Sequence, residues 1–430
     1  LFACLITLDC ARADHVMGRE ARTPQIDRFR KDAVAFTEAH AHTNTTLPSH
    51  VTMMTGKLIP EHGVDHNMRV PVGRHFFLSE RLGKAGVHSG GFVGIQFLEK
   101  LYASKFNGLD RHFDLPDARV ARALLMRLGI KGTRRGAART ADRALRWIKK
   151  HRSIDAFCWL HLFDTHMFYQ AHSRWRKYYN VPEGREGGYL ADHLARQNLV
   201  AFHILRGERR HLEYYPRMYK AAISHTDEVV GRFFDSLRAM GLYDEALIIV
   251  TGDHGENLTE HGVYCGHPLL FDETIRVPLL VKFPGRQHAC EEVSDPVGHQ
   301  DLLPTVLRHF KLDCNREPCR DLGSFLGTLD RQAERPLLAF HNKMFQGAVR
   351  KGPWTWVENL DLTEVLPRNR ALYDEVGLFD AGGCKVESPS LAARMSRILN
   401  DFILRTQTSH VVEGVEEEAI KVQLRELGYL

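Results

Sequence analysis

The sequence predicts an α/β protein: a large mixed, mostly parallel sheet covered by helices on both faces, with a small C-terminal α+β subdomain. Three observations carry that prediction. Short β-branched or aromatic runs alternate with helical patterns through roughly the first 330 residues, as parallel strands joined by crossover helices do. The chain of 430 residues is 43% hydrophobic, enough to bury a sheet between two helical layers without disulfide staples. Beyond that point the strand runs follow one another across a turn instead of across a helix, which is the antiparallel pattern.

In chain order, Leu5-Ile6-Thr7-Leu8 reads as a buried strand ending at Asp9, and Thr23-Pro24 opens a helix in cap-then-proline order with Ile26 and Phe29 facing inward. Pro48 presets the first turn of a short helix that ends at Gly56, with Thr45 or Thr46 at its N-cap. Val87 to Val93, Ala156 to Leu162, Ala246 to Val250 and Val277 to Val281 are further buried strands. Met218 to Met240 is a long helix whose Ile223, Val229, Val230, Phe233 and Leu237 share one side. Residues 170–216, rich in Tyr, Arg, His and Gly and without a clean period, read as an insertion or lid. Leu337 to Phe340, Gly347 to Arg350 and Trp354 to Val357 read as antiparallel strands with a turn at Lys351-Gly352-Pro353, and a final helix runs from about Ser388 to Arg405. Two domains follow from this: 1–330 with the sheet and its polar strand ends, and 331–430 as the small subdomain.

Composition removes several function classes. Lys plus Arg number 58 against 53 Asp plus Glu, a formal net charge of +5, too mild for a nucleic-acid binder. The basic stretch Arg111 to Arg152 reads as a solvated helix face plus a loop, with an anionic ligand such as a lipid head group as the lesser reading. No run of about 18 apolar residues is present to form a transmembrane helix. Leu1 to Leu8 lacks the charged leader and cleavage site of a secretory signal, although an upstream signal stays compatible with a chain that begins without Met. The eight cysteines form no C-x-x-C pair. They read mostly as buried thiols, which favours a reducing, cytoplasmic compartment without deciding against export. Oligomeric state is not legible in the sequence.

In open α/β sheets ligands bind beyond the carboxyl ends of the strands, and three such places carry polar groups. Asp9 leaves the first strand; an Asp there is commonly a cap or turn residue. Thr46 lies just before a helix N-terminus, where the dipole favours an anion. Val250-Thr251-Gly252-Asp253-His254-Gly255-Glu256 is a strand running into a tight loop that offers a carboxylate and an imidazole, two metal-ligand types, at one spot. Together, two carboxylates, an imidazole and a hydroxyl suit a cation site with the hydroxyl placed for activation as a nucleophile.

These residues lie in segments that resemble the sulfatase-like branch of the alkaline phosphatase superfamily. The supporting segments include Ile6-Thr7-Leu8-Asp9, Arg12-Ala13-Asp14-His15, Thr23-Pro24-Gln25-Ile26-Asp27, Leu47-Pro48-Ser49-His50, Thr55-Gly56 and His62-Gly63-Val64. They continue through His161-Leu162-Phe163-Asp164-Thr165-His166, Ile248 to Glu256, His261-Gly262, Arg276-Val277-Pro278-Leu279 and Asp301-Leu302-Leu303-Pro304-Thr305. The likeness runs in order along nearly the whole chain, to Leu427-Gly428-Tyr429-Leu430, and is thinnest over 170–216.

The resemblance implies that Asp9, Asp253 and His254 hold one divalent metal, with Thr46 as nucleophile and ligand of the same ion. It implies that His166 contacts the ester oxygen or protonates the leaving group, and that His267 lies where the family often serves the leaving group. It also implies that His50 holds an anionic oxygen where the family uses Arg, and that Asn67 contacts the same oxygens. His15, His40, His42 and His299 read as structural, and Cys10 as an inert neighbour of the metal, with zinc ligation the lesser alternative.

Three departures shape the chemistry. True sulfatases place a Cys or Ser at the Thr46 position, converted to formylglycine; a threonine cannot become that aldehyde because its β-carbon already bears a methyl group. They have a second Asp where Cys10 stands and an Asn where His254 stands. Exchanging an oxygen ligand for imidazole moves the preference from calcium or magnesium toward manganese or zinc. An aldehyde hydrate sheds sulfate by elimination, whereas an ester on threonine must be released by a second attack at the central atom, a route that suits phosphorus. The expected activity is hydrolysis of phosphate or phosphonate mono- or diesters through a phosphothreonine at Thr46, with transfer to an acceptor alcohol as a variant. The expected substrate is an anionic ester, either a small molecule or a lipid head group. The rival readings are sulfuric ester hydrolysis and a catalytically silent binding protein that keeps the fold. A single metal is expected, because Asp164 and His166 lack the spacing of a second cluster.

Overall fold

Residues 2–8 alternate between two hydrophobic clusters: Phe2, Cys4, Ile6 and Leu8 enter one, Ala3 and Leu5 the other. Strand β1 (Phe2–Leu8) is therefore buried on both faces, as a central parallel strand must be. The computed structural model describes residues 1–67, 69, 77–95, 98, 109–111, 135–167, 169–182, 213–314, 320–326, 335–363, 365, 370, 373–381 and 383–406. The main sheet adds β2 (Val34–Phe36), β3 (His88–Val93), β4 (Leu109–Arg111), β5 (Ala156–Leu162), β6 (Leu247–Gly252), β7 (Leu279–Lys282) and β8 (Glu292–Val293). Its eight strands lie in the order β4-β3-β5-β1-β6-β7-β2-β8. The five from β4 to β6 are parallel, and β7 pairs antiparallel with both β6 and β2. This is the mixed, mostly parallel sheet that the sequence predicts.

The covering helices are α1 (Pro24–Arg30), α2 (Thr46–Thr55), α3 (Leu78–Lys84), α4 (Ala137–His151), α5 (Tyr214–Ala239) and α6 (Leu302–His309). Helices α1, α4 and α5 pack into the cluster on one face of β1, and α2, α3 and α6 into the cluster on the other. Trp147 of α4 lies so close over β3 that a Cβ on Gly90 would stand 2.7 Å from its ring, which is why that strand carries a glycine. Arg139, Arg146, Lys149 and Lys150 form the exposed side of α4; residues 112–134 of the basic stretch lie outside the described residues. Helix α5 begins at Tyr214 and so takes the last residues of the expected lid, of which 183–212 lie outside the described residues.

The N-terminus of α1 corrects one local expectation. Thr23 occupies the N-cap but donates its hydroxyl to Val16 O. The cap comes from Asp227 of α5, whose carboxylate accepts from the backbone N–H of Gln25 and Ile26. Burial pushes the Asp227 carboxyl up to about 7, against the lowering effect of those N–H groups. Because its folded pKa lies above the unfolded value, its stabilising share is complete at pH below the usual carboxylate range and is lost as pH rises through about 7. The share is of order 4 kcal/mol. Asp227→Asn keeps an acceptor for α1 and removes the titration, so its urea-unfolding midpoint is expected to change less than that of the wild type between about pH 5 and pH 8.

A second sheet of five strands follows: β9 (Leu337–Phe340), β10 (Gln346–Lys351), β11 (Trp354–Asn359), β12 (Gly377–Phe379) and β13 (Lys385–Val386), each antiparallel to the next. Helix α7 (Pro389–Thr406) lays Met395 and Leu399 into its core together with Leu58 and Ile59 of the main unit. Arg335 forks onto Asp301 with two hydrogen bonds of 2.9 Å, and Phe340 N donates to His42 O, so the second sheet is tied to the first unit. The expected boundary near residue 330 and the terminal Leu427-Gly428-Tyr429-Leu430 lie outside the described residues.

Candidate active site

Strands β5, β1 and β6 end in register, Leu8 beside both Leu162 and Gly252. Asp9 and Asp253 therefore step off adjacent parallel strands at the same level, where crevices form in such sheets. The loop after β6 is tight because two backbones approach it. A Cβ on Gly252 would lie 2.5 Å from Ala11 O, and one on Gly255 would lie 2.1 Å from Glu273 O. Asp253 joins the loops: its Oδ1 accepts from Cys10 N at 2.9 Å and His254 N at 2.8 Å. Its Oδ2, fully buried, makes no hydrogen bond.

The side chains expected to bind a metal converge. Donor atoms of Asp9, Asp253 and His254 lie within 4.8 Å of one another. His254 Nδ1 donates to Gly255 O at 2.9 Å, which leaves a lone pair on Nε2, and that atom faces Thr46 Oγ1 at 3.2 Å. Thr46 is the first residue of α2, not the residue before it, and neither it nor Thr45 caps the helix with its side chain. Asn67 does so instead: its Oδ1 accepts from Leu47 N at 2.9 Å, while its buried Nδ2 has no partner. Gly56 closes the helix in the left-handed conformation, φ 66°, as the sequence suggests.

His50 departs from its expected role as an anion holder. Its ring turns back on its own helix, Nδ1 donating to Thr46 O at 2.7 Å and Nε2 meeting Thr7 Oγ1 at 3.2 Å. It buttresses Thr46 from inside the fold. His166 stacks on Phe163 with ring centroids 4.5 Å apart, donates Nδ1 to Met167 O, and has a donor atom within 4.8 Å of Asp9 and Cys10. His267 packs its ring 4.5 Å from that of His254. Every residue expected at the site is thus gathered there, with His50 in a supporting position.

His161 is the residue that sequence reasoning missed. It is fully buried in β5, beside Thr7, and its Nε2 lies 3.0 Å from Asp9 Oδ2. Gly94 N donates to its Nδ1 at 3.4 Å, so the proton sits on Nε2 and points at Asp9. The available signal was an imidazole inside the otherwise apolar run Ala156–Leu162. Such a contact orients a metal-binding carboxylate. His161→Leu is expected to weaken cation affinity about 10–100-fold while His161→Gln, which keeps a donor, recovers most of it, read by competition with a chelator dye.

Electrostatics favour a cation among these groups. Burial and the Asp9 charge push Asp253 up to about 7. Burial holds His50 and His267 down to about 3, and His161 and His254 to about 4. At neutral pH these imidazoles are uncharged and do not offset two buried carboxylates. The bare Asp253 Oδ2, the Nε2 lone pair of His254 and the neighbouring Asp9 and Thr46 oxygens make a mixed N/O donor set that fits one divalent ion.

Two carboxylates, an imidazole and a hydroxyl at a helix N-terminus thus come together at the ends of adjacent parallel strands, an arrangement whose donor atoms could hold a cation beside a hydroxyl. The sulfatase family profile matches residues 4–312, and the chain belongs to the sulfatase family. An ulvan-active sulfatase from Formosa agariphila is 28% identical over 149 residues, 34% of this chain and 29% of the relative. The chain thus spans under a third of the length of that relative. Among solved structures, the phosphonate monoester hydrolase SpPMH from Silicibacter pomeroyi superposes with a TM-score of 0.72 at 19% identity, covering 94% of both chains. The phosphonate monoester hydrolase of Agrobacterium radiobacter gives 0.70 at 18% identity, covering 95% of this chain and 96% of that one. These two show the same fold as this chain.

Proposed function

We propose that the protein is a metal-dependent hydrolase of phosphate or phosphonate esters that uses Thr46 as its nucleophile. The observation that carries this reading is Thr46 Oγ1 at 3.2 Å from the unprotonated Nε2 of His254, beside Asp9 and Asp253. A divalent cation, manganese or zinc by the donor set, supplies Lewis acidity to the hydroxyl and to the substrate's nonbridging oxygens when bound. Asp9, Asp253 and His254 hold it, and His161 orients Asp9. Thr46 Oγ1 attacks phosphorus in line, so that the Oγ1–P bond forms as the bond from phosphorus to the ester oxygen breaks; the hydroxyl proton passes to solvent, and the departing alkoxide takes up a proton from water. The N-terminus of α2 and the buried Asn67 Nδ2, which makes no hydrogen bond, would be available to the charge that develops on the transferred group. We assign His166, near Asp9 and Cys10, and His267, beside His254, to the leaving group. Burial holds His267 well below the usual imidazole range, to about 3, which favours its neutral form as a hydrogen-bonding group. Water then attacks the phosphothreonine, or an acceptor alcohol takes the group in its place.

Sulfate ester hydrolysis is the second reading, favoured by the sulfatase relative from Formosa agariphila. Against it stands Thr46, which cannot form the aldehyde. Parallel kcat/KM measurements on nitrophenyl sulfate, phosphate monoester, phosphate diester and phosphonate test the choice. The phosphorus esters are expected to lead; dominant sulfate turnover reverses the conclusion. Activity lost to a chelator and restored by manganese or zinc separates both readings from a silent binding protein.

A further inference from the structure

Cys10 follows Asp9 out of β1 and is fully buried. Its Sγ lies 3.8 Å and 3.9 Å from Nδ1 and Nε2 of His254. It also stands within 4.8 Å of donor atoms in two groups, one with His254 and His267, the other with Asp9 and His166. The backbone at Cys10 is in the left-handed region, φ 54°, uncommon for a residue with a side chain. Both of its peptide groups are pinned there: N donates to Asp253 Oδ1 at 2.9 Å and O accepts from the Tyr219 hydroxyl at 2.7 Å. A strained conformation held from both ends fixes where the sulfur points. Independently, the buried Asp253 Oδ2 that makes no hydrogen bond lies 3.6 Å from the same His254 Nε2. Sulfur and nitrogen donors of one tetrahedral ion stand roughly 3.5–4 Å apart, given bonds of about 2.3 and 2.0–2.1 Å.

We propose that Cys10 Sγ is a further protein ligand of the cation held by Asp9, Asp253 and His254, which makes the site selective for a thiophilic ion such as zinc. The inference rests on the cation reading above. On binding, the S–H bond breaks, a sulfur–metal bond forms and the proton passes to solvent. A thiolate in the set favours zinc over manganese, magnesium or calcium.

Cobalt(II) loaded into the full chain reports the two claims separately. Visible d–d bands signal an ion in a protein site, and a near-ultraviolet sulfur-to-cobalt charge-transfer band signals thiolate ligation. The wild type is expected to show both, Cys10→Ser to keep the visible bands and lose the near-ultraviolet one, and Cys265→Ser, at the other buried thiol nearby, to keep both. Visible bands without the charge-transfer band in the wild type, or a charge-transfer band that survives Cys10→Ser, overturn the Cys10 assignment and leave the cation site standing. Failure of the wild type to take up cobalt overturns both. If Cys10→Ser does not fold, the wild-type and Cys265→Ser spectra decide: the band in both supports Cys10, and its absence from either overturns it.

Discussion

Thr46→Ala is expected to lower kcat by roughly 10⁴-fold or more, with the fold and cation content nearly unchanged. The hydroxyl's hydrogen-bond contact is with His254 Nε2, so its removal leaves the backbone of α2 and the Asn67 cap on Leu47 N in place. Alanine is also well tolerated in the first turn of a helix. The loss should therefore fall on the chemical step. Steady-state rates on a phosphate diester and a phosphonate, with circular dichroism and metal analysis of the same preparation, give the comparison. Thr46→Ser keeps an attacking oxygen and should retain measurable turnover. Unimpaired activity in Thr46→Ala would remove the covalent role.

Asp253→Asn is expected to cost about 10²-fold or more in cation affinity, and turnover with it. The two oxygens of Asp253 have different tasks: Oδ1 receives the N–H groups of Cys10 and His254, while Oδ2 makes no hydrogen bond. Asparagine can keep its carbonyl on the two N–H groups, so the loop survives, but it presents an amide N–H₂ where Oδ2 stood and thereby replaces a cation ligand by a donor. The variant also removes the repulsion between two buried carboxylates. Metal-free Asp253→Asn should thus unfold at a higher temperature than the metal-free wild type above about pH 7 and lose most of the thermal shift on adding metal. A variant that binds zinc or manganese as tightly as the wild type would contradict the assigned ligand set.

Much of this was legible because the central strands are buried on both faces and read as short apolar runs punctuated by polar ends. Asp9, Asp253 and His254 converge because their strands are neighbours in the sheet; Asp9 and Asp253 could be picked out as the first charged residues past apolar runs, with His254 directly after Asp253. What the pattern hid depends on partners far along the chain. Asp227 caps a helix 201 residues away, and Asn67 caps α2 from a loop that no propensity places there. His161 lay concealed inside an apolar strand, where one imidazole does not disturb the pattern. For His50 the spacing of one helical turn from Thr46 held, but spacing does not say which way a ring turns; it closed on the Thr46 carbonyl instead of facing a ligand. Strands β12 and β13 are three and two residues long, too short to carry a period.

The most direct test of the central claim is rapid acid quench of the metal-loaded enzyme during turnover of a phosphorus ester, followed by peptide mass spectrometry. One phosphoryl or phosphonyl group is expected on the peptide containing Thr46, absent from Thr46→Ala. An unmodified Thr46 peptide throughout productive turnover, or an adduct on another residue, would contradict it.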